Sequence, residues 1–249
     1  GAAARFGGGD VQWLTAGRGI VHSETFPLIE RDRPNPLELF QIWLNLPPDD
    51  KLADPYFSML WDQDIPRVVS TDDGGRRSEI TVIAGRFADA TPVEPPPDSW
   101  AHRDDTDVAI WHIHLDPGAG VTLPPARYGD TVRTLYLFDG DDLDVSGEVL
   151  SGSTAAVVAP DQELALRSTS GAEVLVLQGR PIGAPVAQYG PFVMNTEAEI
   201  EQAFADYRDT GFGGWPWPTD EPVNPADQPR FARRPDGSVE SPATGQRDS

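Results

Sequence analysis

Short apolar segments separated by turn-forming residues recur along most of this 249-residue chain, and they constrain its fold more than any other feature. Segments of this kind, rich in β-branched residues and bounded by Gly, Pro and Asp, are typical of strands in β-sandwiches and barrels. The sequence therefore predicts an all-β protein. The clearest strands are expected at 79–87, 107–115, 119–123, 132–138, 143–150, 154–159, 163–167 and 173–179.

A proline-rich stretch divides this strand pattern into two halves. Residues 91–97 contain four prolines, a composition typical of an interdomain linker. We therefore expect one β-domain over residues 1–90 and a second over 100–185. The apolar segment 37–46 is predicted to be a buried strand of the first domain, ended by the two prolines that follow it.

One helix is predicted near the C-terminal end, within a segment that spans 186–214. Thr196 and Glu199 have the spacing of a capping box, in which the side chain of each residue accepts a hydrogen bond from the backbone amide of the other. Gly211 stands where a terminating glycine is expected. An apolar stripe at helical spacing is formed by Ile200, Ala203, Phe204 and Tyr207. The remaining residues, 215–249, are predicted to be an extended, acidic and Pro-rich tail without regular structure.

Composition excludes several classes of function. With 19 basic and 40 acidic residues the net charge is −21, and such a surface repels the phosphates of nucleic acids. No apolar run approaches the roughly 20 residues that a membrane-spanning helix needs, so we expect no membrane partner and a cytoplasmic location. The chain has no cysteine, which rules out disulfides and thiolate metal sites.

The most suggestive chemistry is a histidine and a carboxylate two positions apart. His22 and Glu24 follow a turn that contains Gly17 and Gly19, and residues i and i+2 of a strand point to the same face. An imidazole and a carboxylate side by side can bind one metal ion, and histidine–carboxylate sets with open positions suit non-haem iron. A hydrogen-bonded structural couple is the alternative interpretation of such a pair.

The other histidines are weaker candidates. His112 and His114 also share a strand face, but no carboxylate or further histidine follows at ligand-like spacing, so we interpret them as structural or solvent-facing. His102 lies among charged residues and is predicted to be on a loop surface. The sequence contains neither a G-x-S-x-G nucleophile elbow nor a P-loop.

A family resemblance rests on several stretches of the chain. Residues 10–24, Asp-Val-Gln-Trp-Leu-Thr-Ala-Gly-Arg-Gly-Ile-Val-His-Ser-Glu, closely resemble the signature of the pirin family, a bicupin group. Residues 39–47 resemble the strand that follows this signature. Residues 114–118 resemble the opening of the second cupin of pirins, and 190–196 resemble their C-terminal hallmark. The likeness extends to about Gly214, and the long signature is highly specific.

The resemblance implies two tandem cupin barrels followed by one short helix, in agreement with the strand pattern. In pirins the N-terminal barrel holds one iron ion, Fe(II), through three histidines and one glutamate. His22 and Glu24 fall on the last two of these ligands. The other two belong to an H-x-H motif on earlier strands, which this chain does not contain. We therefore expect an incomplete first barrel and low iron occupancy. The second barrel of pirins usually lacks metal ligands, which agrees with the interpretation of His112 and His114.

Three functions follow from the resemblance. Prokaryotic pirins include quercetin 2,3-dioxygenases, in which iron would orient a flavonol for attack by dioxygen while Glu24 takes up the hydroxyl proton. Eukaryotic pirins are iron-dependent partners of transcription factors, which implies a binding module with protein partners instead of turnover. An inactive fragment that lacks half of its ligands is the third alternative.

Overall fold

The computed structural model describes residues 1–219, 222–234 and 236–243, and most of its regular structure is β-strand. The strands are β1 (Ala2–Arg5), β2 (Val11–Thr15), β3 (His22–Thr25), β4 (Tyr56–Leu60), β5 (Arg67–Thr71), β6 (Arg77–Ala84), β7 (Ala109–Leu115), β8 (Gly120–Leu123), β9 (Val132–Asp139), β10 (Asp142–Val145), β11 (Glu148–Ser151), β12 (Thr154–Val158), β13 (Leu164–Arg167), β14 (Ala172–Gly179), β15 (Ala187–Tyr189), β16 (Phe192–Met194), β17 (Phe231–Arg233) and β18 (Val239–Glu240). The α-helix α1 spans Glu197–Thr210, and short 3₁₀ helices lie at Pro48–Asp50, Asp62–Asp64, Trp100–His102 and Gly211–Gly213.

The chain forms two compact units, and their boundary differs from the one expected from the sequence. Unit 1 comprises Gly1–Gln63, Pro96–Ser99 and the described part of Ile182–Ser249, and unit 2 comprises Asp64–Pro95 and Trp100–Pro181. Residues 64–90, which we expected in the first domain, therefore belong with the second unit, as do 91–95 of the predicted linker. The reason is that β6 pairs with β7 along most of its length, and its buried residues Ile80 and Val82 join the core of unit 2.

Unit 2 is a two-layered cupin-like β-structure. One sheet has the strand order β12-β9-β14-β7-β6-β5 and the other the order β11-β10-β13-β8. Alternate residues of both sheets point into one continuous apolar core, as the period of two in a strand requires. The predicted strand 143–150 is in fact a hairpin, because Ser146 and Gly147 both adopt positive φ and reverse the chain between β10 and β11. The buried core includes Val82, Trp111, Ile113, Leu115, Leu123, Leu135, Leu137, Leu143, Leu166, Val174 and Val176.

Unit 1 contains smaller sheets. Its strands form one sheet of order β18-β17-β1-β3 and two pairs, β2-β4 and β15-β16. The tail over 215–249 was expected to lack regular structure, but β17 pairs antiparallel with β1. This pairing is stabilised by the complete burial of Ala232 and by Arg5, whose Nε donates to the carbonyl of Gln228 at 2.9 Å.

The prediction of a buried strand at 37–46 is wrong. The segment carries no regular secondary structure, and no strand of the described residues pairs with it. Several of its large apolar side chains are exposed, including Leu39 at 52% and Trp43 at 55%. An apolar sequence provides side chains that gain from burial, but a strand also needs a neighbour to satisfy its backbone groups.

The helix follows the prediction closely. The hydroxyl of Thr196 accepts from the Glu199 amide, and the Glu199 carboxylate accepts from the Thr196 amide at 2.7 Å, which completes the capping box. Gly211 ends α1 in the left-handed conformation at φ 57°. No helix among the described residues has the length and apolar character that crossing a membrane requires.

Candidate metal centre

A glycine-dependent turn leads into the strand that carries the candidate ligands. Gly17 and Gly19 have φ of 50° and 120°, and the Gly19 amide donates to the carbonyl of Ala16 at 2.9 Å. A Cβ atom at Gly19 would lie 2.5 Å from the ring of Phe212, so a larger residue would not fit without displacing that ring. The tight turn predicted from the two glycines is confirmed, and it leads into β3 beside β1.

His22 and Glu24 lie side by side on β3. Their side chains project from the same face, and Nδ1 of His22 is 3.5 Å from Oε1 of Glu24. Nε2 of Gln12, on β2, donates to the same carboxylate oxygen at 2.7 Å and fixes its orientation. The other end of the Gln12 amide, Oε1, is buried and has no hydrogen-bond partner within the described chain. The pair therefore stands next to a buried acceptor whose hydrogen-bonding capacity is unused.

The imidazole of His22 forms part of the wall of a cleft of about 290 Å³. Tyr207 from α1 and Trp215 from the segment after it give this cleft two aromatic walls. A second cavity, of about 200 Å³, is lined by Ser23, by the edge-to-face pair Trp215–Trp217 and by neighbouring residues. Both cavities are within unit 1, and β3 contributes His22, Ser23 and Thr25 to their linings, whereas Glu24 lines neither of them.

Two candidate metal ligands, His22 and Glu24, lie together on β3. Among the residues that the structure describes, no group of three or more His, Asp or Glu side chains is arranged to hold a metal ion. The donor chemistry of His22 and Glu24 fits ferrous iron, since imidazole nitrogen and carboxylate oxygen are both ligands of non-haem iron sites. The pair therefore supplies one imidazole and one carboxylate ligand for such a site.

His112 and His114 have a partner that the sequence did not suggest. Glu173, on β14, lies opposite His114 in the ladder, and its two oxygens are 2.7 Å from Nε2 of His112 and 2.6 Å from Nδ1 of His114. The hydrogen bond to Glu173 raises the pKa of His114. Burial pushes the pKa of Glu173 upward, but the bonds to both histidines outweigh it and hold that pKa below its usual value. The two part-exposed histidines thus form a carboxylate-bridged couple in unit 2.

The remaining histidine, His102, lies in unit 2. His102 is part-exposed, with Nδ1 3.8 Å from Glu94. Three residues near the pair were not singled out as site residues from the sequence: Gln12, which contacts Glu24, and Tyr207 and Trp215, which line the cleft beside His22. Gln12 lies inside the signature stretch, which was a signal for it. Tyr207 was assigned to the apolar stripe of the helix, and only the tertiary fold brings it to His22.

Comparisons with known proteins match separate parts of the chain to two sequence models. A sequence model described as the pirin C-terminal cupin domain matches residues 110–213, and one described as pirin matches residues 1–44. The second match includes the turn, His22 and Glu24. The first covers most of the strands of unit 2, together with α1.

Individual relatives extend the likeness over most of the chain. A Pseudomonas aeruginosa protein named "putative quercetin 2,3-dioxygenase" is 40% identical over 204 residues, which are 81% of this chain and 67% of that protein. Pirin-1 of Arabidopsis thaliana is 37% identical over 214 residues, 82% of this chain and 66% of its own length. The crystal structure of quercetin 2,3-dioxygenase from Acinetobacter baumannii superimposes with a TM-score of 0.63 at 25% identity, covering 85% of this chain and 75% of that one.

Proposed function

Since the chain belongs to the pirin family, we propose that it is a cytoplasmic non-haem iron protein that oxidises a flavonol such as quercetin with dioxygen. One observation carries the proposal: His22 and Glu24 stand side by side on β3, and His22 lies on a cleft with the aromatic walls Tyr207 and Trp215. The names of the similar proteins from Pseudomonas aeruginosa and Acinetobacter baumannii support the same chemistry.

The iron would be held by Nδ1 or Nε2 of His22 and by the carboxylate of Glu24. When bound, iron supplies the Lewis acidity and the redox capacity that chemistry with dioxygen requires. Because the described residues provide only these two ligands, we expect them to hold iron weakly. Water and the oxygens of the substrate would complete the coordination.

The residues around the pair have separate tasks in this proposal. The carboxylate of Glu24 accepts the proton of the flavonol hydroxyl, and Gln12 keeps it in position through the hydrogen bond to Oε1. Tyr207 and Trp215 provide flat apolar surfaces against which a planar ring system packs and from which water is excluded.

The test is oxygen uptake with quercetin in the presence of excess ferrous iron. We expect His22→Gln and Glu24→Gln to reduce the turnover rate by about a hundredfold or more, the size of effect typical for loss of a general base. His112→Gln is the matched control, since it removes an imidazole from unit 2 and should leave the rate unchanged. Absence of uptake by a protein shown to carry iron at the His22 site would refute the dioxygenase proposal.

Iron binding itself gives a separate readout. Ferrous titration of the chain should show weak binding that His22→Gln and Glu24→Gln each abolish. Tight one-to-one binding that persists in both variants would place the metal elsewhere, and the His112–Glu173–His114 cluster would be the first place to look.

A binding module without turnover is the second candidate, and one observation favours it. Leu37, Leu39, Phe40 and Trp43 are all exposed in one short segment, which is an unusual concentration of large apolar side chains on a surface. Under this alternative, iron at His22 and Glu24 would regulate the binding of a protein partner. Full iron occupancy without oxygen uptake, together with loss of partner binding in Trp43→Asp, would favour it over the enzyme.

A further inference from the structure

The second cavity of unit 1 lies beside a row of three residues on neighbouring strands. Ala3 of β1 is paired with Ser23 of β3 on one side and with Arg233 of β17 on the other. Residues paired in this way project their side chains from the same face of a sheet. The middle residue of the row is an alanine, so a hollow remains between the serine hydroxyl and the guanidinium. All three residues line the cavity of about 200 Å³.

This face of β3 is not the face that carries the candidate iron ligands. Successive side chains of a strand point to opposite faces, so Ser23 projects away from the side of His22 and Glu24. The second cavity and the cleft beside His22 are therefore different spaces, although Ser23 and Trp215 contribute to the linings of both.

The residues that follow α1 form the other wall of the cavity, and hydrogen bonds hold them in place. Nδ2 of Asn224 donates to the hydroxyl of Thr25 on β3 at 3.1 Å. Trp215 and Trp217 form an edge-to-face pair with ring centres 4.4 Å apart, and the indole N–H of Trp215 donates to the carbonyl of Thr219. The cavity thus has two indole rings in defined positions opposite the sheet.

Arg233 gives this cavity a positive charge that no carboxylate of the described residues compensates. Its guanidinium carbon is 5.6 Å from the centre of the Trp217 ring and 5.9 Å from that of Phe231, and no ion pair joins it to a described residue. The described lining of the cavity contains neither aspartate nor glutamate. Since the chain has 40 acidic and only 19 basic residues, the charge of this cavity is opposite to that of the molecule as a whole.

We propose that the second cavity binds a small aromatic carboxylate. A guanidinium can contact aromatic rings through its face and at the same time donate two parallel hydrogen bonds from its edge, so Arg233 would hold the carboxylate in a bidentate arrangement. The hydroxyl of Ser23 provides a further donor across the hollow. The ring of the ligand would pack against Trp215 and Trp217, whose indoles offer flat apolar surfaces.

This site requires both parts of the ligand. A neutral amide of the same shape does not compensate the charge of the partly buried Arg233. A carboxylate without a ring leaves the apolar surfaces of the two indoles in contact with water. The chemical class is therefore set by the combination of a ring and a negative charge.

Calorimetric titration of the whole chain with benzoate, without added iron, tests the proposal. Benzamide has the same ring without the charge, and acetate has the charge without the ring. We expect saturable one-to-one binding of benzoate, and binding of the other two compounds that is weaker by about tenfold or more. Because no iron is present, the outcome is separate from that of the dioxygenase test.

Two variants locate the bound benzoate. Arg233→Met removes the charge, and Ala3→Leu fills the hollow without changing any charge, so each should weaken benzoate binding by about tenfold or more. Arg31→Met removes the same charge from an exposed position of unit 1 and should leave binding unchanged.

The comparison of the three compounds on the unmodified chain tests the proposal even where a variant does not fold. Absence of saturable benzoate binding to that chain would overturn the proposal. Equal binding of benzamide or acetate, or undiminished benzoate binding in folded Arg233→Met or Ala3→Leu, would overturn it as well.

Discussion

Unit 2 and unit 1 are both built from short strands, yet the cores that they bury are very different. In unit 2, residues from two opposed sheets meet in one cluster of large aliphatic side chains, including Ile113, Leu135 and Leu137. In unit 1 the buried cluster is small and contains three alanines beside Phe6, Phe57, Met59 and Trp61. Burial of apolar surface contributes about 25 cal/mol per Å², so the same secondary structure gives the two units unequal stability.

This difference in core size coincides with the location of the candidate metal ligands. The His22–Glu24 pair, its aromatic cleft and the exposed segment 37–46 all belong to the unit with the smaller core. Sites that bind ligands are commonly found in the less stable parts of a protein, since they need exposed polar groups and local mobility. Unit 2, in contrast, places its unusual polar residue, Arg133, within the well-packed interior.

The largest expected effect is a contrast in hydrogen exchange. Amides in the β7–β14 ladder of unit 2 should exchange orders of magnitude more slowly than those in the β2–β4 pair of unit 1, because opening the former requires disruption of the larger core. Mass-spectrometric exchange on the intact chain measures both regions in one experiment. Equal protection of the two ladders would show that the size of the buried core does not set their stability.

The contribution of the larger core to the stability of unit 2 can be measured by shortening one of its side chains. Ile113 is fully buried at the centre of β7, and Ile113→Ala should lower the free energy of unfolding of unit 2 by about 2–5 kcal/mol through lost burial and a residual cavity. Denaturant titration followed through the β7 amides provides the value. Val157→Ala, at an exposed position of β12, is the control and should change the stability by less than about 0.5 kcal/mol.

A smaller effect is expected at a carboxylate that organises one turn of unit 2. Asp142 accepts hydrogen bonds from the amides of Thr169 and Ser170 and from both hydroxyls, and these bonds lower its pKa to about 2. Because the pKa is lower in the folded state, the stabilisation is complete above the ordinary value of 3.8 and is lost as the pH falls through about 2.

Asp142→Ala should therefore destabilise unit 2 by about 1–2 kcal/mol at pH 7, with solvent exposure limiting the size of the effect. The difference from the unmodified chain should shrink as the pH is lowered from 4 towards 2. Urea titrations across this range provide the comparison, and Asp141→Ala removes an adjacent exposed carboxylate as the control. A pH-independent difference would assign the effect to packing and not to the ionised carboxylate.

The smallest expected effect lies in unit 1, at the start of α1. Thr196→Ala removes the capping hydroxyl and should reduce helix stability by about 1 kcal/mol, whereas Thr196→Ser should retain most of it. Exchange rates of the first-turn amides measure the change locally. An identical loss in both variants would show that the methyl group of Thr196, and not its hydroxyl, stabilises the helix start.

Local patterns in the sequence predicted much of the fold. The strands of unit 2 and the helix α1 were located well because their apolar period and capping residues act within a few residues of one another. The predictions that failed depended on distant partners. Segment 37–46 has the composition of a strand but no strand to pair with among the described residues, and the tail supplies β17 because β1 offers it an edge.

The residues of the candidate sites also fall into two groups, those that local spacing identifies and those that only distant strand pairing brings together. His22 and Glu24 could be identified from their spacing and from the surrounding signature, since neighbours on one strand face are fixed by the backbone period alone. Glu173 and Arg233 could not, because each meets its partner across a ladder between strands separated by tens of residues or more. Neither local composition nor spacing encodes which strands become neighbours.

The sequence by itself therefore determined the all-β class, the family and the two adjacent ligand-type residues. The tertiary structure decided which residues surround them: the Gln12 hydrogen bond to Glu24, the aromatic walls of the cleft and the row that places Arg233 beside the second cavity. The physical reason is the range of the interactions. Side-chain period and capping act over one or two turns of chain, whereas burial and charge compensation depend on every segment that packs around a residue.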